Sequence, residues 1–380
     1  MKSLLALYFG TILLAYLSQK YHPVRETLHM RGSRHFFFAR TDVFVVIIIF
    51  WLSALSFLRT GYNDTGNYIA AFQDSPSVSE FFSSGDYLDW TGNPLSNLYR
   101  DFMRELTDNY HIYFLFPALL SSIAVVKLCK RYSVNFALSL LIFLSIGTYV
   151  TFIAALKQSF AVAILLFSIP YAADKKYVRF YLLVFLAMLF HTHAFMFAIL
   201  PLLFGKPWRT VTFVLLGATL FAMATYDSTL GAFMEYAQML GANVAEIEVF
   251  DGHSVNVLRV AVYAVPPLIA LVYNKRLFAD STLMENLFVN MSIVSLFILS
   301  IGLVEGANLY ARMAAYFEIG TAIALPWMLK KIFPQKQTKV ITITAAVLYF
   351  GYFYYEFAIT KGFEGEYTAI TIWQLIRSII

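Results

Sequence analysis

Long apolar segments follow one another through most of this 380-residue chain, and charge breaks into them at only a few places. Apolar residues make up 59% and charged residues 13%, whereas a soluble domain carries roughly 25% charged residues. Mean hydropathy is +0.66. A chain surrounded by lipid must satisfy its backbone internally, so these segments predict an all-α, polytopic integral membrane protein. They are continuous and not alternating, which argues against a membrane barrel. The single Cys129 excludes a disulfide within the chain and a thiolate metal cluster. The net charge of +5 resides in short connections between segments, so it reads as membrane topology and not as a nucleic-acid surface.

About eleven apolar segments are expected, at 3–17, 42–58, 111–127, 136–153, 156–173, 179–204, 210–225, 256–273, 284–304, 311–329 and 340–357. Together they predict one transmembrane domain over residues 1–380. The first segment has only Lys2 before it and no small-residue cleavage site after it, unlike a cleaved signal peptide. Basic residues crowd alternate connections: Lys20 to Arg40, Lys127 to Arg131, Lys175 to Arg179, Lys275 with Arg276, and Lys330 to Lys339. These predict cytoplasmic loops. The connections 59–110 and 226–255 lean acidic and are rich in Tyr, Asn and Gly, which predicts that both lie outside.

One conflict follows from that assignment. If 179–204 crossed once, Lys206 and Arg209 would fall outside and the acidic 226–255 loop inside. Breaking the segment near His191 and His193 restores every later loop. Each half, roughly 18 Å long at 1.5 Å per residue, is too short for the ~30 Å hydrocarbon core. Such broken elements line protein cavities. The alternative is one long tilted helix.

The charges inside or at the edges of apolar segments are the functional candidates, because their insertion is costly. Arg59 ends the second segment, and Gly61 and Gly66 nearby let the backbone turn or approach closely. An Arg there suits bidentate contact with phosphate; Asp64 is a general base or the partner that orients it. The alternative is a snorkelling Arg and a helix-starting Asp. Lys157 and Gln158 open another apolar run at its outer end, where they would add an ammonium and an amide to free backbone N–H groups. His191 and His193, two residues apart, point to different faces if helical, which argues against a paired zinc site. A His at the break serves as a base, as a ligand for phosphate or sugar, or merely closes the break. Glu305, Asn308 and Arg312 follow at three- and four-residue spacing, and Tyr316 comes four after Arg312. If helical, Asn308, Arg312 and Tyr316 share a face; a pair that only fixes packing is the alternative. The 59–110 connection adds Tyr62, Tyr68, Asp86, Tyr87, Asp89, Trp90, Asn93 and Tyr99. These suit sugar binding, or an interfacial aromatic belt. Several cations at different helix ends call for a polyanion such as pyrophosphate, and no glycine-rich nucleotide fingerprint is present.

These stretches resemble the EpsG-like branch of bacterial polysaccharide polymerases, related in function to the Wzy polymerases of O-antigen synthesis. The resemblance rests on Leu58 to Phe72, Leu156 to Ala163, Asp174 to Tyr177, Leu189 to Ala194, and Arg312 to Phe317, over roughly residues 40–330. Lys157 stands where the family usually has Arg, and His193 where a small hydroxylic residue is common, so only His191 inherits a family role. The resemblance implies a glycosyltransferase in the bacterial cytoplasmic membrane that joins undecaprenyl-diphosphate-linked repeat units at the outer face. On that reading Arg59, Lys157, Gln158 and Arg312 hold the diphosphate, and Tyr68, Trp90 and Tyr316 the sugars. His191, Asp64 or Glu305 takes the acceptor proton. No metal or cofactor is expected. The implied partners are the lipid-linked glycan, the bilayer and a chain-length regulator. A lipid-linked oligosaccharide flippase and a membrane acyltransferase are the competing classes.

Overall fold

The computed structural model describes residues 2–23, 41–89, 92–226, 254–304 and 309–379. It is helical almost throughout, and every apolar segment expected from the sequence forms helix. Among the described residues, four helices are long and apolar enough to cross a membrane: Tyr110–Tyr132, Leu156–Ala173, Leu283–Ile301 and Gln335–Thr360. The bent pair Phe136–Ser145 and Thr148–Ala154 makes a fifth if counted as one span. Most other apolar helices have 10–17 residues, about 15–25 Å of rise against a core of ~30 Å. The described helices therefore do not amount to eleven full crossings.

Packing divides the chain into two compact units, Met1–Ala198 with Ile341–Ile380, and Ile199–Val340. The first unit holds α1 (Lys2–Tyr21), α2 (Val43–Phe57), the short strand β1 (Arg59–Gly61), α3 (Thr65–Gln73), α4 (Val78–Ser84) and α5 (Pro94–Leu106). Then come α6 (Tyr110–Tyr132), α7 (Phe136–Ser145), α8 (Thr148–Ala154), α9 (Leu156–Ala173) and α10 (Tyr177–Phe190). Helices α6 and α9 form its centre. Between helices in lipid the attraction comes from close packing and hydrogen bonds, at roughly 0.6 kcal/mol per bond. Ser53 on α2 shows the pattern, its hydroxyl donating to Ile49 O at 2.7 Å and Ala118 O of α6 at 3.3 Å. Tyr149 donates to Leu52 O at 2.7 Å.

The bend of 54° between α7 and α8 falls at Gly147. Its φ is +89°, and a Cβ there would stand 2.9 Å from the Phe357 ring. Only glycine suits both conditions. The 179–204 segment breaks as the loop charges require. Helix α10 stops at Phe190, His191 turns extended (φ −154°, ψ 112°), and a 3₁₀ run covers Thr192–Phe204. The Tyr181 hydroxyl donates to Ala198 O at 3.5 Å. In one straight helix those residues would be about 25 Å apart, so the chain doubles back and the single tilted helix is excluded.

The 59–110 connection, expected as an irregular loop, is built largely from α3, α4 and α5. A capping box between Ser77 and Glu80 starts α4, and Pro94 opens α5, where its missing N–H costs nothing. The chain's last residues return to this region. A π-helical turn (Tyr355–Thr360), a short helix (Phe363–Glu366), strand β2 (Thr368–Ala369) and a final helix (Ile372–Ile379) follow one another, and β2 pairs antiparallel with β1.

The second unit centres on the helix Leu283–Ile301, packed against Thr210–Ala224, Val257–Val272 and Ile319–Ile332. Asn290 donates from Nδ2 to Leu203 O and Gly205 O, both at 2.7 Å. These bonds satisfy carbonyls that the end of the 3₁₀ run leaves over.

Candidate active site

The helices of the first unit share an orientation that gathers its polar candidates. Helix α2 starts at Asp42, where Lys130 from the end of α6 makes an ion pair at 3.3 Å and donates to Ser18 O and His22 O. That is the basic end. Helices α2 and α10 run away from it, and α6 and α9 run toward it, since Phe57 and Leu58 pack with Phe114 and Leu156, and Phe160 with Phe190. Arg59, Asp64, Tyr68, Lys157, Gln158 and His191 therefore all lie at the opposite end. Large apolar side chains such as Val46, Phe50, Leu182 and Val347 are exposed on the outside of the unit, as lipid contact requires.

Arg59 is 0% exposed. Its Nε donates to Thr65 Oγ1 at 3.0 Å, and Nη1 to the backbone oxygen and hydroxyl of Ser56. The guanidinium lies over the Phe114 ring, 4.1 Å from its centroid, a cation–π contact. Tyr68, Tyr367, Tyr113 and Tyr149 surround it, and burial pulls its pKa down to about 10, so it is charged at neutral pH. No carboxylate pairs with it among the described residues, and Nη2 has no hydrogen-bond acceptor. Beside it, Ser56, Ser121, Ser122 and Tyr149 help line a cavity of about 10 Å³, room for one water. At Gly61, two residues on, a Cβ would meet the Thr368 hydroxyl at 2.6 Å. Gly66 has open space around it.

Lys157 and Gln158 lie in the first turn of α9, directly after the Ala155 junction with α8, where no side chain caps the helix. Lys157 is half-buried and Gln158 buried. One turn further, the Phe160 ring touches Phe190 (centroids 4.1 Å apart) and Tyr99 (5.5 Å). These rings bring the start of α9, the break at His191 and helix α5 together. The break is anchored: Asn93, just before α5, accepts from Thr192 N at 2.9 Å and Thr192 Oγ1 at 3.2 Å. His191 and His193, expected on different faces of one helix, have ring centroids 5.2 Å apart. The extended backbone at His191 changes the geometry that the two-residue spacing assumed. Asp64 is half-buried at the N-cap of α3, and Tyr68 packs against the cluster of Phe57, Phe72 and Tyr113. Trp90 lies outside the described residues.

In the second unit, Arg312 is half-buried on the short helix Leu309–Ala314, and Tyr316 is buried, 1% exposed. Turns with i to i+3 bonds run from Arg312 to Phe317, so Arg312 and Tyr316 do not share one helix face. Glu305 and Asn308 lie outside the described residues, as does nearly all of the 226–255 loop. A cluster that the sequence reading missed lies in this unit. Glu318, fully buried, accepts from the Tyr263 hydroxyl at 2.6 Å and stands 3.7 Å from Arg259 Nη2. The visible signal was a carboxylate inside an apolar run, six residues after Arg312. Asp101 was missed as well: it is fully buried on α5, with Arg100 and Ser75 on Oδ1 and no partner for Oδ2.

The class is thus a helical membrane protein that holds cations and amides at one end of a packed unit, an arrangement suited to an anionic substrate. The chain belongs to the EpsG family, whose family model matches residues 42–368. Membership assigns it to polysaccharide biosynthesis with a polymerase-like, glycosyltransferase type of function. No curated protein and no solved structure matches it.

Proposed function

We propose that this protein is a polysaccharide polymerase that joins undecaprenyl-diphosphate-linked oligosaccharide repeat units at the outer face of the cytoplasmic membrane. The observation that carries this reading is Arg59, a charged, fully buried guanidinium with a vacant donor and, among the described residues, no carboxylate partner, in a chain of the EpsG family. A fold retains such a group at a cost of several kcal/mol, and a ligand diphosphate is the natural counter-ion.

In the proposed reaction a sugar hydroxyl of one lipid-linked unit attacks the anomeric carbon of the growing chain on another. The bond from that carbon to the diphosphate oxygen breaks, and undecaprenyl diphosphate leaves with the electron pair. The acceptor proton goes to His191, Asp64 or Glu305. Charge grows on the departing oxygens, and Arg59 with Lys157, Gln158 and the α9 N-terminus supplies preset positive potential there. Arg312 retains its proposed role as a diphosphate ligand on the sequence alone. Tyr68 is the proposed sugar contact within the first unit.

The test in cells is deletion followed by analysis of lipid-linked intermediates. Single repeat units accumulating on the outer leaflet support a polymerase. Accumulation on the inner leaflet instead identifies a flippase, and polymer of normal length lacking only acyl groups an acyltransferase.

A further inference from the structure

The guanidinium of Arg59 lies in an enclosure closed in part by the chain's own C-terminal segment, 308 residues away at the Thr60–Thr368 contact. Arg59 and Gly61 pair with Ala369 and Thr368. Ile370 N donates to Leu58 O at 3.0 Å, and the Tyr367 hydroxyl donates to Leu55 O at 2.6 Å, one residue before Ser56, which accepts from the guanidinium. Phe363 packs on Tyr62 with centroids 4.8 Å apart, and Leu375 inserts among Phe57, Phe72 and Phe114. Arg59 is 0% exposed, so no solvent-accessible space reaches the guanidinium in this arrangement. The closed arrangement thus contains the cation and excludes the anion.

We propose that residues 355–379 form a lid over Arg59, and that the two-residue β1–β2 ladder must part for a lipid-linked diphosphate to reach the guanidinium. This rests on the reading of Arg59 as a diphosphate ligand. The construction favours movement. The ladder is minimal, its register is irregular between Arg59 and Gly61, and the lid is joined to the bundle through a π-helical turn, a geometry found at functional sites. Closed, the lid keeps a dehydrated charge away from water and from other anions; open, it presents Nη2 and Nη1 together.

The lid can be locked. Thr60 and Thr368 hydroxyls are 2.8 Å apart, and the natural Cys129 is buried, so a T60C/T368C protein gains one new disulfide. The full chain in nanodiscs is titrated with undecaprenyl diphosphate, and thiol counting confirms the bond. The expected result is native-like binding when reduced, at least tenfold weaker binding when oxidised, and recovery on adding reductant. Equal binding in both forms overturns the lid and leaves the diphosphate reading intact. If neither native nor reduced protein binds, the diphosphate reading fails and the lid fails with it. A second variant, Gly61→Val, pushes Thr368 away. Faster hydrogen exchange at Ile370 with binding as tight as native is expected; faster exchange with weaker binding contradicts the lid.

Discussion

A buried guanidinium with no carboxylate among the described residues is a poor way to stabilise a protein, and that makes Arg59 testable apart from activity. Its hydrogen bonds go to Thr65 and Ser56, and Thr65 Oγ1 also donates to Tyr62 O at 2.5 Å, so Thr65 retains a partner without the Arg. Replacing buried charge with a similar apolar volume is often neutral or stabilising, by about 1–4 kcal/mol. Arg59→Met is therefore expected to unfold in detergent at the same temperature as the native protein, or higher, while making no polymer. A large loss of thermal stability would mark Arg59 as structural. Asn93 is the opposite kind of residue. Its Oδ1 accepts from both donors of half-buried Thr192, and a typical hydrogen bond contributes about 0.5–1.5 kcal/mol. Asn93→Ala should lower thermal stability by that order and reduce polymer yield, because His191 loses the anchor beside it; unchanged stability would contradict the anchoring role. In the sequence Arg59 was legible as an outlier at the end of an apolar run. Its enclosure was not, because the residues that complete it, Tyr367 and Ala369, lie over 300 positions away and carry no local sign of pairing. Asn93 was legible only as one polar group of a sugar-facing loop, and Glu318 was passed over for Glu305 and Arg312.

Elements break where the sequence gives the backbone a reason. The parity of basic and acidic loops anticipated the break at His191 without any turn signal, because charge bias reports which side each loop occupies. The 54° bend at Gly147 was not anticipated: a lone glycine in an apolar run is ambiguous until Phe357 is seen against it. Substituting Gly147→Val forces a branched residue to positive φ and into that ring, so a loss of about 1–3 kcal/mol is expected. Phe357→Leu should return only part of it, since the φ strain remains; full recovery would show the ring alone to be responsible. The doubled-back α10 segment has its own check. Cysteines placed at Tyr181 and Ala198, opposite each other across the hairpin, should cross-link with a short reagent in intact membranes. Failure to cross-link would favour the single tilted helix, which holds them about 25 Å apart.

Across the molecule, the polar groups gathered at one end of the first unit belong to segments far apart in sequence, and membership of the EpsG family joins that chemistry to polysaccharide synthesis. The all-α character followed from composition and from the continuity of the apolar segments. The number of crossings did not, because short, bent and doubled-back helices carry the same apolar signature as full spans. The activity proposed for the chain is polymerisation of lipid-linked repeat units, driven by the diphosphate bond of the donor. The most direct measurement is to incubate the purified protein in liposomes with its lipid-linked repeat unit, chelator and no nucleotide sugar, and to separate the products by size. A ladder of repeat lengths, absent with Arg59→Met, is the expected result. A single unreacted band from protein that binds the substrate would contradict the polymerase reading.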